Sequence, residues 1–444
     1  MKDFFGKDVL LNGDSAKKIY GAIKDLPIID YHCHLNQYAI RDDLKFSNIG
    51  QMWLEGDHYK WRAMRMAGVD ENSITGNASW KEKFFAYASV MPKLIGNPLY
   101  YMSHLELKEI FGITIPLSPA TAEQIWTEAN EKIKNISVRS LLKGFGIEYI
   151  ATTDDPAGDL SAHGTYDGIK VCPTFRPDKL YAPTKAYLET LGSAAGRKIN
   201  DLNDALICLE NRLDAFIKAG CKISDHGFND FPSSYSTYEE ANETFKDFDK
   251  ASEEAKDGYF GFLLDWLARL YAKRGIIMQL HYSVVRNANP GIFASQGVDR
   301  GCDIIARECT YDNVVKFLAR FSDDERPEII MYSLNPNAVP VLSNISGAFR
   351  RVKMGAAWWF NDSIEGIRIN FKQVAEYALL GVFPGMLTDS RAFSSYARFD
   401  MFRRLLSDYI GDLVDKGEYD PLTAEQTAID LAYGNIKGML EKNA

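Results

Sequence analysis

Short apolar runs, separated by stretches of helical periodicity, recur along nearly the whole chain. Eight of them predict parallel strands buried on both faces: residues 28–34, 147–153, 169–175, 221–226, 276–281, 328–333, 352–357 and 385–389. Between them, 202–218 (LNDALICLENRLDAFIK), 260–273 (FGFLLDWLARLYAK) and 367–380 repeat their apolar residues at helical spacing. Strand and helix alternating eight times predict an α/β fold, a (β/α)8 TIM barrel, with its chemistry at the carboxyl ends of the strands. Two intervals fit that pattern poorly: 157–168 is short for a helix, and 339–349 is weakly periodic.

One interval is far too long for a barrel connection. Residues 35–146 are rich in aromatics and helical in pattern (NIGQMWLEGDHYKWRAMRMAG, then NPLYYMSHLELKEIFG). They predict an α-helical insertion after the first strand, a lid over the mouth of a single barrel domain spanning 1–444. A lid of this kind excludes water and lends side chains to the site beneath it.

Composition narrows the partners. The 444 residues are 46% hydrophobic and 25% charged, an ordinary globular balance. A formal charge of −9 argues against nucleic acid, which needs clustered Lys and Arg, so an anionic ligand must meet a local group of cations. Charges at Lys2, Asp3, Lys7 and Asp8 break any signal-peptide core, and no later run reads as a membrane span. The six cysteines, Cys33, Cys172, Cys208, Cys221, Cys302 and Cys309, form no C-x-x-C pair, which fits a reduced cytoplasmic compartment.

The candidate chemistry starts at Asp30-Tyr31-His32-Cys33-His34, at the end of the first strand. Alternation along a strand puts His32 and His34 on one face, their Cα atoms about 6.5–7 Å apart, a gap two imidazoles can close onto one ion. Two more predicted strands end in ligand types, IIMQLH at His281 and GMLTD at Asp389. Imidazole nitrogen with carboxylate oxygen suits Zn²⁺ or a similar divalent ion. The competing reading of His281 is a core histidine bonded to a backbone carbonyl, and that of Asp389 is a helix N-cap.

H-x-H on the first strand, His on the fifth and Asp on the eighth resemble the amidohydrolase superfamily. The surrounding words resemble the uronate (glucuronate) isomerase family: DYHCHL, GDHYKWRAMR, NPLYYMSHLEL, TTDDP, RPDK, SDHG, WWFND and GMLTDSR, in order along the sequence. HYSVVRNAN stands where that family reads H-I-G-A-L-R-N-N-N, and keeps His281, Arg286, Asn287 and Asn289. The resemblance implies a mononuclear metal barrel acting on uronates in their open form, interconverting D-glucuronate with D-fructuronate and D-galacturonate with D-tagaturonate. That reaction moves a proton from the second carbon to the first through an enediol.

On that resemblance Asp389 is expected to carry the proton, as metal ligand, base or both. Tyr59 is expected to hydrogen-bond the substrate oxygens or to be a packing aromatic, with His58 orienting the same loop. Arg176, Arg391 and Arg286 are candidates for the substrate carboxylate, because a guanidinium offers a planar fork. Asp225 and Trp358 are expected to line the pocket, and His226 is a weaker candidate. Small sugar acids are the expected partners, with no nucleic acid or membrane, and a homo-oligomer is left open. Two alternatives remain: a mononuclear amidohydrolase that activates water with Asp389, and a non-catalytic sugar-acid sensor.

Overall fold

A computed structural model describes residues 3–307 and 310–442, so Cys309 lies outside the described residues. Seven parallel strands curl in the order β1 (Ile28–Asp30), β2 (Ile147–Asp154), β4 (Ile169–Phe175), β5 (Ile223–Gly227), β6 (Ile277–Tyr282), β9 (Ile329–Ser333) and β10 (Val352–Met354). Helices such as Leu202–Lys218, Glu253–Arg274 and Ile364–Tyr377 cover the outside, as their periodicity predicts. The weakly periodic interval also forms a helix, Val339–Ala348. Among the described residues, no helix is long and apolar enough to cross a membrane.

Alternation along each strand builds two apolar layers. On β6, Ile277 packs inside the barrel with Ile29, Tyr149, Cys172, Ile223 and Ile330, while Met278, Leu280 and Tyr282 pack outward under the helices. Ile436 and Leu440 of the helix Asn435–Lys442 join the inner layer. Two residues further along β6, Gln279 Oε1 accepts the Tyr332 hydroxyl at 2.9 Å. His281 comes next on the same face, its ring stacked on Tyr332 at 4.2 Å. The core therefore changes from apolar to polar to ionisable toward the carboxyl ends of the strands.

The structure departs from the sequence reading in four places. The short interval 157–168 contains a hairpin: β3 (Gly164–Tyr166) pairs antiparallel with β4 through a tight turn in which Asp167 and Gly168 have φ of 51° and 88°. A second antiparallel pair, β7 (Val284–Val285) with β8 (Ile304–Ile305), follows β6. The first strand ends at Asp30, not His34, so His32 and His34 lie in a bent segment beyond it. Pleat alternation is thus not what aligns the two histidines. Cys33 N–H donates to the Ala151 carbonyl at 2.9 Å and His34 N–H to the Ser390 carbonyl at 2.9 Å, and these bonds set the segment's path.

The eighth predicted strand forms no regular ladder. Residues 385–390 are irregular yet firmly held beside the end of β1. Asp389 N–H donates to the His32 carbonyl at 3.0 Å, and the Tyr31 hydroxyl donates to the Gly385 carbonyl at 2.9 Å. The fully buried Asp30 carboxyl accepts from Thr388 N–H at 2.9 Å and Thr388 Oγ1 at 2.6 Å. Arg398, also buried, donates to the Thr388 carbonyl at 2.7 Å and pairs with Asp362.

Helices Gln37–Arg41, Ile49–Leu54, His58–Met66, Trp80–Val90, Pro98–Phe111, Ala122–Ile133 and Val138–Gly144 fill the long interval between β1 and β2. Their ends carry legible caps: Ser79 and Glu82 form a capping box, and Asn97 caps a helix that starts with Pro98 and stops at left-handed Gly112. Asp57 caps His58–Met66 by accepting from Tyr59 and Lys60 N–H, both at 3.0 Å. That cap fixes His58 and Tyr59 in the first turn.

Burial pushes the Asp30 carboxyl up to about 6, against the Thr388 bonds that lower it, so the uncharged Asn should be tolerated there. Asp30→Ala, which strands two buried donors of Thr388, is expected to cost about 2–4 kcal/mol in urea unfolding. Asp30→Asn should cost clearly less; equal losses would mean that the bonds to Thr388 do not hold the eighth segment.

Candidate active site

A cavity of ≈ 540 Å³ opens at the carboxyl ends of the strands, a size suited to a small molecule. His32 and His34 line its floor from beyond β1, His281 from β6, and Asp389 from the irregular eighth segment. Asp389 Oδ1 lies 3.2 Å from His32 Nε2 and 3.1 Å from His34 Nε2. Its Oδ2 accepts from Trp358 Nε1 at 2.7 Å. Asp389 has φ of 47°, a left-handed conformation uncommon for a residue other than glycine, and Trp359 and Ser283 nearby share it.

The four side chains reach one place in a manner that suits an ion. His281 Nδ1 and Asp225 Oδ1 are 2.7 Å apart, which fixes the tautomer that turns the Nε2 lone pair toward the cavity. Its ring stacks 4.6 Å from that of His32. Among the described residues, His281 Nε2 is buried with no hydrogen-bond partner. Two donor sets, His32 with His34 and Asp389, and His32 with Asp225 and His281, each lie within 4.8 Å. A buried imidazole nitrogen without a partner, beside a carboxylate held by other imidazoles, is the chemistry of a divalent-ion site.

Electrostatics support the same assignment. Burial would raise the Asp389 pKa, but the His32 and His34 bonds outweigh it and hold the carboxyl well below the usual range. Burial lowers His34 to about 4 and also lowers His281, leaving both neutral and able to ligate. Burial opposes charge on His32 too, but Asp225 and Asp389 together raise its pKa.

The remaining candidates are distributed unevenly. Tyr59 lines the cavity, its hydroxyl buried with no hydrogen-bond partner among the described residues, and burial holds that hydroxyl protonated. His58 lines it as well, stacked on Trp61, its pKa lowered by burial and by Arg391. Arg286, Arg391 and Arg176 all face the cavity. Each is already paired: Arg286 with Asp303 at 2.7 Å, Arg391 with Asp299 at 3.3 Å, and Arg176 with Asp178 at 2.7 Å and Asp225 at 3.0 Å.

Asp225, expected on the pocket wall, is instead fully buried behind it, hydrogen-bonded to His281 and ion-paired with Arg176. His226 is also displaced from the cavity: it is buried against the Tyr181 hydroxyl at 2.6 Å, and burial drives it down to about 3. Asp389 is not a helix N-cap, since the next helical turn, Phe393–Ala397, has Ala392 in that position. Sequence reasoning missed Asp178, Asp299 and Asp303, the partners of the arginines. Asp178 stood inside the word RPDK, whereas no local signal tied Asp299 or Asp303 to the site.

Residues 1–439 match the sequence profile of the glucuronate isomerase family. The chain is 40% identical to a uronate isomerase of Caldicellulosiruptor saccharolyticus, over 94% of this chain and 95% of that one. Its fold is similar to the crystal structure of a uronate isomerase from Thermotoga maritima, with a TM-score of 0.95 and 33% identity, covering 99% of this chain and 100% of that one. A glucuronate isomerase from Caulobacter crescentus superposes with a TM-score of 0.93 at 27% identity, over 99% of this chain and 97% of that one.

Chelator competition tests the ion site. Asp225→Asn should weaken divalent-ion affinity about 10–100-fold, because it removes the charge that orients His281, and His281→Ala should weaken it at least as much. Wild-type affinity in both variants would place the ion elsewhere.

Proposed function

The chain belongs to the glucuronate isomerase family, and on that premise we propose that it interconverts D-glucuronate with D-fructuronate and D-galacturonate with D-tagaturonate. The observation that carries this reading is the convergence of Asp389, His32, His34 and His281 on the floor of a cavity that Arg176, Arg286 and Arg391 also line. The reaction leaves the formula unchanged. The proton on C2 leaves and O1 gains one, giving an enediol; O2 then loses its proton and C1 receives one.

Asp389 is the group we assign to carry hydrogen between C2 and C1. Trp358 Nε1 holds its Oδ2 and so fixes the direction of the carboxylate. A carboxylate this firmly ionised is a weak base, so the carbonyl oxygen must be polarised as the C2 proton departs. Tyr59 suits that role, because its phenol stays protonated and donates a hydrogen bond to the oxygen that becomes negative. A divalent ion held by His32, His34, His281 and Asp389, for which we propose Zn²⁺, would add Lewis-acid polarisation of the same oxygens.

Arg176, Arg286 and Arg391 receive the distal carboxylate, with His58 and Trp358 completing the wall. Their existing pairs with aspartate hold the guanidinium groups in place, so less side-chain freedom is lost when substrate binds. The cytoplasm is the compartment we assign. The described cysteines are all free, and four of them, Cys33, Cys172, Cys208 and Cys221, are buried.

Protein supplied with metal and D-glucuronate in D₂O should form ketose that carries solvent deuterium at C1, and a failure to form ketose from either uronate overturns the reading. Asp389→Asn should lower kcat by about 10²–10⁴-fold. Tyr59→Phe should lower kcat/KM by about tenfold or more, a loss that mere packing by the ring would not produce.

A further inference from the structure

We propose that Asp178 and Gly227 are positioning residues that lock Arg176 as an anion clamp for the substrate carboxylate, an inference that rests on the isomerase reading. The Arg176 guanidinium is held at two of its three nitrogens. Nε donates to Asp178 Oδ2 at 2.7 Å, and Nη1 pairs with Asp225 Oδ2 at 3.0 Å. Nη2 has no partner among the described residues, and the side chain lines the cavity. A planar group fixed at two corners cannot turn its third, so Nη2 is the nitrogen left to meet an incoming oxygen.

Asp178 does more than balance charge. The oxygen that binds Arg176 also accepts the Gly227 N–H at 2.9 Å, so one atom joins the guanidinium to the end of β5. Gly227 is required on steric grounds alone. Its φ is not in the left-handed range, yet a Cβ built there would overlap Arg176 Nη2. The small residue at the strand end therefore makes the space in which that nitrogen sits.

The second partner gives the clamp its reach. Asp225 offers one oxygen to Arg176 and the other to His281 Nδ1. One buried carboxylate thus sets both the anion clamp and the imidazole at the reacting end, and fixes the distance between them. A sugar acid is measured from its carboxylate to its carbonyl. Loss of Asp178 releases the clamp and leaves the bond from Asp225 to His281 in place, which separates anion binding from ion binding.

The test compares wild type, Asp178→Ala, Asp178→Asn and Gly227→Ala by kcat and KM for D-glucuronate, with metal content and melting temperature on the same samples. Asp178→Ala and Gly227→Ala should each raise KM about tenfold or more, with a smaller change in kcat and unchanged metal content. Asp178→Asn keeps an acceptor oxygen for Arg176 and Gly227 and should recover most of the affinity. Gly227→Ala leaves every polar partner in place, so it decides the matter if Asp178→Ala fails to fold. KM within about twofold of wild type in the folded variants overturns the clamp, as does an effect that falls equally on kcat and metal content. A wild type that forms no ketose defeats the isomerase reading and the clamp together, whereas ketose with unchanged KM defeats the clamp alone.

Discussion

Two chain segments more than 350 positions apart, 30–34 and 385–390, are joined by hydrogen bonds that no regular ladder supplies. Asp30 grips Thr388 through both its oxygens, the His32 carbonyl accepts Asp389 N–H, and the Ser390 carbonyl accepts His34 N–H. The bonds do structural and chemical work together. They complete the barrel where the eighth strand would run, and they place two imidazoles and a carboxylate in contact. A regular strand in either segment would hold its side chains at pleat spacing. The bend after Asp30 and the left-handed backbone at Asp389 direct them into one cavity instead.

Much of this was legible in the sequence. Seven of the eight apolar runs became parallel strands, because strands buried on both faces must be apolar almost throughout. The convergence of His32, His34, His281 and Asp389 on one cavity was legible as well, since all four stand at or just beyond the ends of such runs. Pleat spacing does not align the histidine pair: they converge through tertiary hydrogen bonds beyond the strand, a feature that spacing cannot encode. Asp167-Gly168 was a readable turn signal, and it explains why the interval before β4 held a hairpin rather than a helix. Asp225 lies one layer behind the expected wall, because which neighbour an inward carboxylate meets depends on the strand beside it. Asp299 and Asp303 come from a loop whose return to the mouth leaves no periodic trace.

Charge in the cavity follows from the acidic chain as a whole. A protein of net charge −9 presents three arginines to one cavity, and each is tied to at least one aspartate. Pairing lowers the net field at the mouth, so long-range attraction for an anion is weak, but it sets direction. Bidentate recognition of a carboxylate depends on direction more than on total charge. The floor works the opposite way: burial keeps His34 and His281 neutral while Asp389 stays ionised. Neutral imidazoles beside a fixed carboxylate suit a cation, and the guanidinium groups that line the same cavity suit an anion. On the proposed reading, a substrate with a carboxylate at one end and a carbonyl at the other would span the two.

Anomalous X-ray diffraction at the absorption edge of the bound ion, on crystals of the metal-loaded protein, tests that central convergence most directly. One strong peak is expected at about 2.0–2.2 Å from a ring nitrogen of His32, His34 and His281 and from an Asp389 oxygen. A peak elsewhere in the barrel, or imidazoles still bonded directly to Asp389 with no ion between them, would contradict it.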